Sequence, residues 1–321
     1  MTAQHRIVLD CDTGIDDALA ILYALQHPAI TLEAVSCVYG NTFVEVATRN
    51  TLSLLELAGK PDIPVAMGAR RALTRPFAGG PTHIHGENAF GDVSLPVPTV
   101  EPSPLWGPDL IIALARAHPG ELTLVPTGPI TNVALALMKA PEIARLYRRI
   151  VVMGGSLFHP GVPRIASPMA DANFFNDPEA ARIVLQSGAE ITLVGMDVTM
   201  KTLFTEAQIA QIEAEGTAAT RAAATASRFY LNAYRKQYPG IAGCALHDPL
   251  AVAVVEDPTL VRTEPMQLDI ETRGELTRGQ VVPDRRATGT TAPNADVCLD
   301  VDAARFVTRF VALMCGRPPT G

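Results

Sequence analysis

Between Arg6 and Ala20 the chain reads RIVLDCDTGIDDALA, with Asp10, Asp12, Asp16 and Asp17 placed directly after an apolar run. Carboxylates this close repel one another and do not settle against a core unless positive charge sits among them. A bound divalent cation meets that need. A hard ion such as Ca2+ or Mg2+ takes oxygen ligands from carboxylates and carbonyls and requires no His or Cys. Capping and the helix macrodipole also favour acidic residues at a helix start, which accounts for Asp16 or Asp17 singly. They do not account for Asp10 and Asp12 as well. The segment is expected to hold a metal at the top of a strand.

Two further polar clusters lie far away in sequence. ALHDPLAVA, residues 245–253, puts His247 and Asp248 at the entrance of an apolar helix. ADANFFNDPEAA, residues 170–181, puts Asp171, Asn173, Asn176 and Asp177 at another entrance, marked by Pro178. Either cluster alone reads as helix capping. His83, His85 and Glu87 stand together in HIHGEN. With no further His or Cys at suitable spacing they do not define a transition-metal site, and a place on a lid is expected instead.

These residues must be positioned by elements the hydrophobic pattern marks out. Apolar runs at Ile7–Leu9, Leu32–Val38, Leu122–Val125, Ile150–Met153 and Ile191–Val194 alternate with helical stretches such as Asp17–Leu25 and Thr131–Met138. Near-continuous apolar strands separated by helices predict an α/β fold, a mostly parallel central sheet covered on both faces. Ligands of such sheets bind beyond the carboxyl ends of the strands. The motifs DCDTG, YGN, PTG, GGS and GMD all fall there. Residues 68–108 and 156–169 read as long irregular loops of the kind that form lids. Alternation from Met266 to Val282 predicts an antiparallel hairpin appended to the sheet. The whole chain, 1–321, is read as one domain.

Composition narrows the partners. With 321 residues, 48% of them hydrophobic, the chain can bury a large core. Its net charge of −7 and scattered Arg pairs (Arg70-Arg71, Arg148-Arg149, Arg285-Arg286) disfavour nucleic acid and anionic membranes. The five cysteines form no CxxC pair and read as reduced thiols. The first predicted strand begins at Ile7, and no apolar run approaches the roughly 18–20 residues that span a bilayer. A cytoplasmic location is expected.

Taken together, LDCDTGIDDALA, VYGN (38–41), HIHGEN, LVPTGPITNVALAL (124–137), VVMGGS (151–156), ADANFFNDPEAA and LHDPLAV resemble the inosine–uridine-preferring nucleoside hydrolase family over nearly the whole chain. The resemblance implies a Rossmann-like fold and Ca2+-dependent hydrolysis of the N-glycosidic bond of ribonucleosides to free base and ribose. It implies Asp12 as general base acting on metal-bound water and as metal ligand. Asp17, the backbone carbonyl of Thr127, and Asp248 are the other implied ligands. By the same resemblance Asn41 lies near the attacking water and His247 is implicated in protonating the leaving base. Asp16 and Asn173 match residues that bind ribose. Asp171 and His83 are carried as substrate-side candidates. A homodimer or homotetramer serving nucleoside salvage and catabolism is also implied.

The chain departs from the family pattern in three places. Thr13 replaces a proline, Asp171 replaces a glutamate, and counting back from Asp171 puts Ile165 where an asparagine usually meets the 5′-hydroxyl. These departures raise a pocket that tolerates a modified 5′ position. They also leave a second function reading, a nucleoside-binding member of the fold with lost turnover or altered specificity. A phosphotransferase of the haloacid-dehalogenase type shares the strand followed by DxD, but Gly14 and the Asp16-Asp17 pair have no role in it. Base preference, for which Phe90, Phe158, Tyr230 and Tyr234 are candidate stacking partners, is not readable from spacing.

Overall fold

The computed structural model describes residues 4–158, 167–286 and 291–318. Its first strand, β1 (His5–Cys11), is buried on both faces from Ile7 onward. Ile7, Leu9 and Cys11 enter the core on one face, whereas Val8 enters the core on the other. Gly14 then starts α1 (Ile15–Gln26), which ends at His27 just before Pro28. The chain continues through β2 (Ile30–Cys37), α2 (Val44–Leu57) and β3 (Val65–Met67), and then through the short α3 (Thr82–His85) to α4 (Gly107–Ala117). Next come β4 (Leu122–Pro126), α5 (Thr131–Lys139), β5 (Arg149–Met153), α6 (Ala172–Asn176), α7 (Pro178–Leu185) and β6 (Ile191–Val194). After α8 (Met196–Thr199), β7 (Leu203–Thr205) and α9 (Glu206–Glu215) stands the longest helix, α10 (Ala218–Gln237). The chain finishes with β8 (Gly243–Ala245), α11 (His247–Glu256), β9 (Val261–Met266), β10 (Leu268–Ile270), β11 (Val281–Pro283), β12 (Ala295–Val301) and α12 (Ala303–Met314).

Eight strands form one sheet in the order β3-β2-β1-β4-β5-β6-β12-β9. All neighbours are parallel except β12 and β9. Strand order therefore reverses direction between β1 and β4. In an open α/β sheet that reversal opens a crevice at the carboxyl ends of the two strands. Here those ends are Cys11 and Pro126, so Asp12 and Thr127 stand at the mouth. One core, with α1, α2, α10, α11 and α12, covers one face of the sheet; the other, with α4, α5 and α7, covers the second. The expected α/β architecture is present.

The predicted hairpin forms differently from expectation. Leu268–Ile270 pairs antiparallel with Val281–Pro283 as a sheet of its own, and Met266 belongs to the edge strand β9 of the main sheet. The break has a local cause. Asn294 accepts from Leu268 N (2.8 Å) and donates to Leu268 O (2.9 Å), so its side chain takes both backbone groups that would have continued the ladder. Two more strands, β7 and β8, form a second small antiparallel pair beside α9 and α10.

Candidate active site

Asp16 and Asp17 open α1 and Asp248 lies in the first turn of α11, and these two helices pack against each other. Carboxylate oxygens of the three residues lie within 4.8 Å of one another. Among the described residues this is the one group of three or more His, Cys, Asp or Glu side chains able to share a metal. Asp12 stands beside it rather than in it. Asn41 N donates to Asp12 Oδ2 (2.6 Å), while Asp12 Oδ1 is buried without a partner. Two glycines make room for this carboxylate: a Cβ on Gly40 would lie 2.0 Å from Oδ2, and one on Gly128 2.7 Å from Oδ1.

Asp17 is the best satisfied of the cluster. Its Oδ2 accepts from Gly14 N (2.9 Å) and Asn41 Nδ2 (3.0 Å), and Oδ1 accepts from Thr127 Oγ1 (2.8 Å). Asp16 Oδ2 accepts from the Tyr230 hydroxyl (3.3 Å), and its Oδ1 is an orphan. Burial is the main force on the protons here, and mutual repulsion adds to it. Burial and the neighbouring Asp17 push Asp16 up to about 7. Burial, then repulsion from Asp16, Asp17 and Asp12, pushes Asp248 well above the usual carboxylate range. Asp12 rises for the same two reasons, with Asp17 its strongest neighbour. An all-oxygen donor set with two orphaned oxygens and self-repelling charge fits a hard divalent cation.

Asp10 points away from this group. Asn132 Nδ2 donates to Asp10 Oδ1 (2.8 Å), to Ser36 Oγ and to the Cys37 carbonyl, tying the ends of β1 and β2 beneath the site. Asp10 is thus a support.

Opposite the carboxylates, Asn173 Nδ2 donates to the Thr127 carbonyl (2.7 Å) and to the Met153 carbonyl (3.2 Å). Thr127 N in turn donates to Asp10 O. Asp171 is the N-cap of α6 and accepts from Asn173 N (2.8 Å) and Phe174 N. Burial still raises it to about 6, against the pull of those N–H donors. It lines the cavity, but its carboxylate also orients the turn that carries Asn173. Asp177 caps α7, as its position before Pro178 predicts.

The remaining wall comes from α10. A chain of hydroxyls runs from Asp16 through Tyr230 and Tyr234 (3.3 Å apart) to His247 Nε2. His247 Nδ1 shares a 2.6 Å hydrogen bond with Thr199 Oγ1. His83 is exposed on α3 at the rim. His85 does not behave as a lid residue. It is buried under Tyr230, 5.4 Å between ring centroids, and its Nδ1 accepts from Ile15 N. Burial, with His247 and His83 adding to it, lowers it to about 3, so it is neutral. Of the other aromatic candidates, Phe90 is core, and Phe158 is exposed beneath the Arg285 guanidinium, away from this cavity. Ile165 lies outside the described residues.

Together these side chains enclose a cavity of about 440 Å³, within the range of small-ligand sites. Spacing alone did not single out Thr199, Gln237 or Tyr238. A tyrosine stripe at 230, 234 and 238, one turn apart on one helix face, was the available signal.

An open α/β sheet with a cavity at its switch point and a buried acid cluster at the mouth defines a small-molecule site of the hydrolytic kind. Residues 7–308 match the family profile of the inosine-uridine preferring nucleoside hydrolases, and the chain belongs to that family. Among its relatives is a pyrimidine-specific ribonucleoside hydrolase RihA of Enterobacter sp. (strain 638), 38% identical over 94% of this chain and 95% of that protein. An inosine-uridine preferring nucleoside hydrolase of Leishmania major is also 38% identical, over 94% and 95%. Of solved structures, a purine-preferring ribonucleoside hydrolase from Gardnerella vaginalis superposes with a TM-score of 0.91 at 38% identity, covering 97% of this chain and 98% of that one. Three names with three base preferences stand at the same identity.

Proposed function

We propose that this chain, acting as one domain, cleaves ribonucleosides by a single displacement in which Asp12 is the general base and Ca2+ the cofactor. The observation that carries the reading is the set of orphaned oxygens, Asp12 Oδ1 and Asp16 Oδ1, above a buried, mutually repelling carboxylate group. When bound, a hard cation supplies the missing positive charge, lowers the pKa of water and holds vicinal hydroxyls. Asp12, Asp17 and Asp248 are the carboxylates that would hold it, with the Thr127 carbonyl supplying a neutral oxygen and Asp16 beside them.

Asp12 accepts the proton of the attacking water on Oδ1, because Oδ2 is held by Asn41 N. Asn41 also fixes Asp17 and so keeps base and ligand in register. The carboxylates favour the oxocarbenium character that develops at C1′ as the bond to the base lengthens. No second carboxylate is placed as a nucleophile in this scheme, so water attacks directly and the anomeric centre inverts. Asp16 Oδ1 accepts from a ribose hydroxyl, and Asn173, whose Nδ2 is held by the Thr127 and Met153 carbonyls, presents its Oδ1 to another. Asp171 supports Asn173 through the α6 cap. His247, paired with Tyr234, delivers a proton to the departing base. His83 closes the rim.

The expected cysteine chemistry supports a cytoplasmic enzyme, and the family resemblance supports a homodimer or homotetramer working in nucleoside catabolism. No helix among the described residues is long and apolar enough to cross a membrane. Release of reducing sugar from a panel of ribonucleosides, with Ca2+ and after exhaustive chelation, tests the mechanism. Turnover that survives chelation sinks the role of the cation. Tight nucleoside binding without sugar release would instead identify a binding protein.

A further inference from the structure

Gln237 is the last residue of α10, and its Nε2 is buried without a hydrogen-bond partner while the residue lines the active-site cavity. The other orphaned atoms among the described residues have evident settings. Three are oxygens of the Asp10–Asp16 segment, and three are Nε atoms of Arg278, Arg305 and Arg309, whose guanidinium groups form ion pairs. Gln237 is the neutral exception. A buried amide donor left unpaired is costly, and in a ligand cavity its natural partner is an acceptor on the ligand.

Its place along the helix says which part of the ligand that is. Tyr230 bonds Asp16 at the carboxylate end of the cavity, and Tyr234 bonds His247 one turn on. Gln237 follows almost another turn later, so about 10 Å of helix rise separates it from Tyr230. With the ribose hydroxyls at the carboxylates, the base extends along α10 past Tyr234, and its edge remote from the sugar meets Gln237. Tyr234 and His247 bond each other and serve proton delivery to the base, whereas at the far end, beside the Tyr238 hydroxyl, Gln237 Nε2 is the buried donor left without a partner.

We propose that Gln237 determines base specificity: its Nε2 donates to a ring carbonyl on the remote edge, favouring carbonyl bases over their amino counterparts. This rests on the ribonucleoside hydrolase reading of the site. A site that donates a hydrogen bond meets uracil or hypoxanthine with an acceptor, but meets the amino group of cytosine or adenine with another donor. The polar group left unpaired then penalises the wrong base.

The test compares kcat/KM of the full-length protein on uridine, cytidine, inosine and adenosine for wild type, Gln237→Met and Gln237→Glu. Methionine keeps the side-chain length and removes the donor. It is expected to lower kcat/KM on uridine and inosine about tenfold, with cytidine and adenosine little changed. Glutamate replaces the donor with a carboxylate that repels a carbonyl and accepts from an amino group. The uridine-to-cytidine and inosine-to-adenosine ratios should then fall further, by about a hundredfold relative to wild type. Unchanged ratios in both variants, or an equal loss on all four substrates, would overturn the assignment. No cleavage of any nucleoside by the wild type would overturn the hydrolase reading and this inference with it. Cleavage with unchanged ratios removes the Gln237 assignment alone.

Discussion

Helices α1 and α11 pack side by side, and the charged groups at their two ends are treated in opposite ways. At their N-termini Asp16, Asp17 and Asp248 face one another, and the charges that act on Asp248 are those of its fellow aspartates. At their C-termini stand Tyr23, His27, Glu256 and Asp257. There α12 delivers Arg309, buried at 7% exposure, whose guanidinium bonds both Glu256 and Asp257 (3.0 Å to Asp257 Oδ2). Tyr23 also donates to Glu256 (3.3 Å), and Arg305 adds a second cation beside Asp257. Burial pushes Asp257 up, but hydrogen bonds from Thr259 and Arg309 outweigh it and hold this carboxyl below its usual range. The fold places an arginine against these partly buried carboxylates. At the N-terminal end no arginine among the described residues lines the cavity, and the carboxylates there face only one another.

Removing the proposed general base is the strongest way to break this contrast. Asp12→Asn is expected to reduce kcat about 100- to 10,000-fold, the usual contribution of a general base, while the protein stays folded. Steady-state sugar release with a matched thermal melt checks both halves, and near-wild-type kcat would refute the role of Asp12. Chelation is the next test. It should abolish turnover and lower Tm by about 5 °C relative to protein in Ca2+ a hundredfold above its Kd. Restoration on adding Ca2+ back completes the measurement.

The arginine end should respond in the reverse sense. Arg309→Leu leaves Glu256 and Asp257 without their main partner and is expected to cost about 3 kcal/mol of stability in denaturant unfolding. Activity at a temperature where the variant is folded should be unchanged, because the network is remote from the cavity. A loss of kcat without a loss of stability would contradict the division. Asp171 offers the smallest effect and a third mode of satisfaction, by backbone N–H groups. Its folded pKa of about 6 lies above the ordinary 3.8, so the folded state binds the proton more tightly. The associated stability is full below about pH 4 and is lost as pH rises through about 6. Asp171→Asn keeps the cap and should remove that slope from a melting profile taken between pH 4 and 7.

How much of this could be read in advance varied with the range of the forces involved. Strand and helix periods were legible because burial on two faces imposes them locally, as in Ile7–Cys11 and Thr131–Lys139. The acid cluster was legible because Asp10 to Asp17 repel one another within a single turn and strand end. His85 was misread as a lid residue, since only the approach of α10 and α1 buries it beneath Tyr230 and against Ile15 N. The hairpin was recognised but attached to the wrong sheet, because the Asn294 side chain that cuts the ladder lies 26 residues beyond Leu268. Gln237 gave no signal at all. Glutamine at a helix end is ordinary until the cavity around it is known.

The sequence by itself determined that several carboxylates crowd one strand end and call for compensating positive charge, because electrostatic repulsion among close neighbours has few solutions. It also determined that their strand ends face a crevice, since buried parallel strands need helices on both sides. Tertiary structure alone decided the division of labour. Strand order brings Thr127 beside Asp12, the packing of α11 on α1 brings Asp248 to Asp16 and Asp17, and α10 lays tyrosines and Gln237 along the cavity. Those juxtapositions depend on which helix covers which face, a choice made by packing over the whole core and not by any local run of residues.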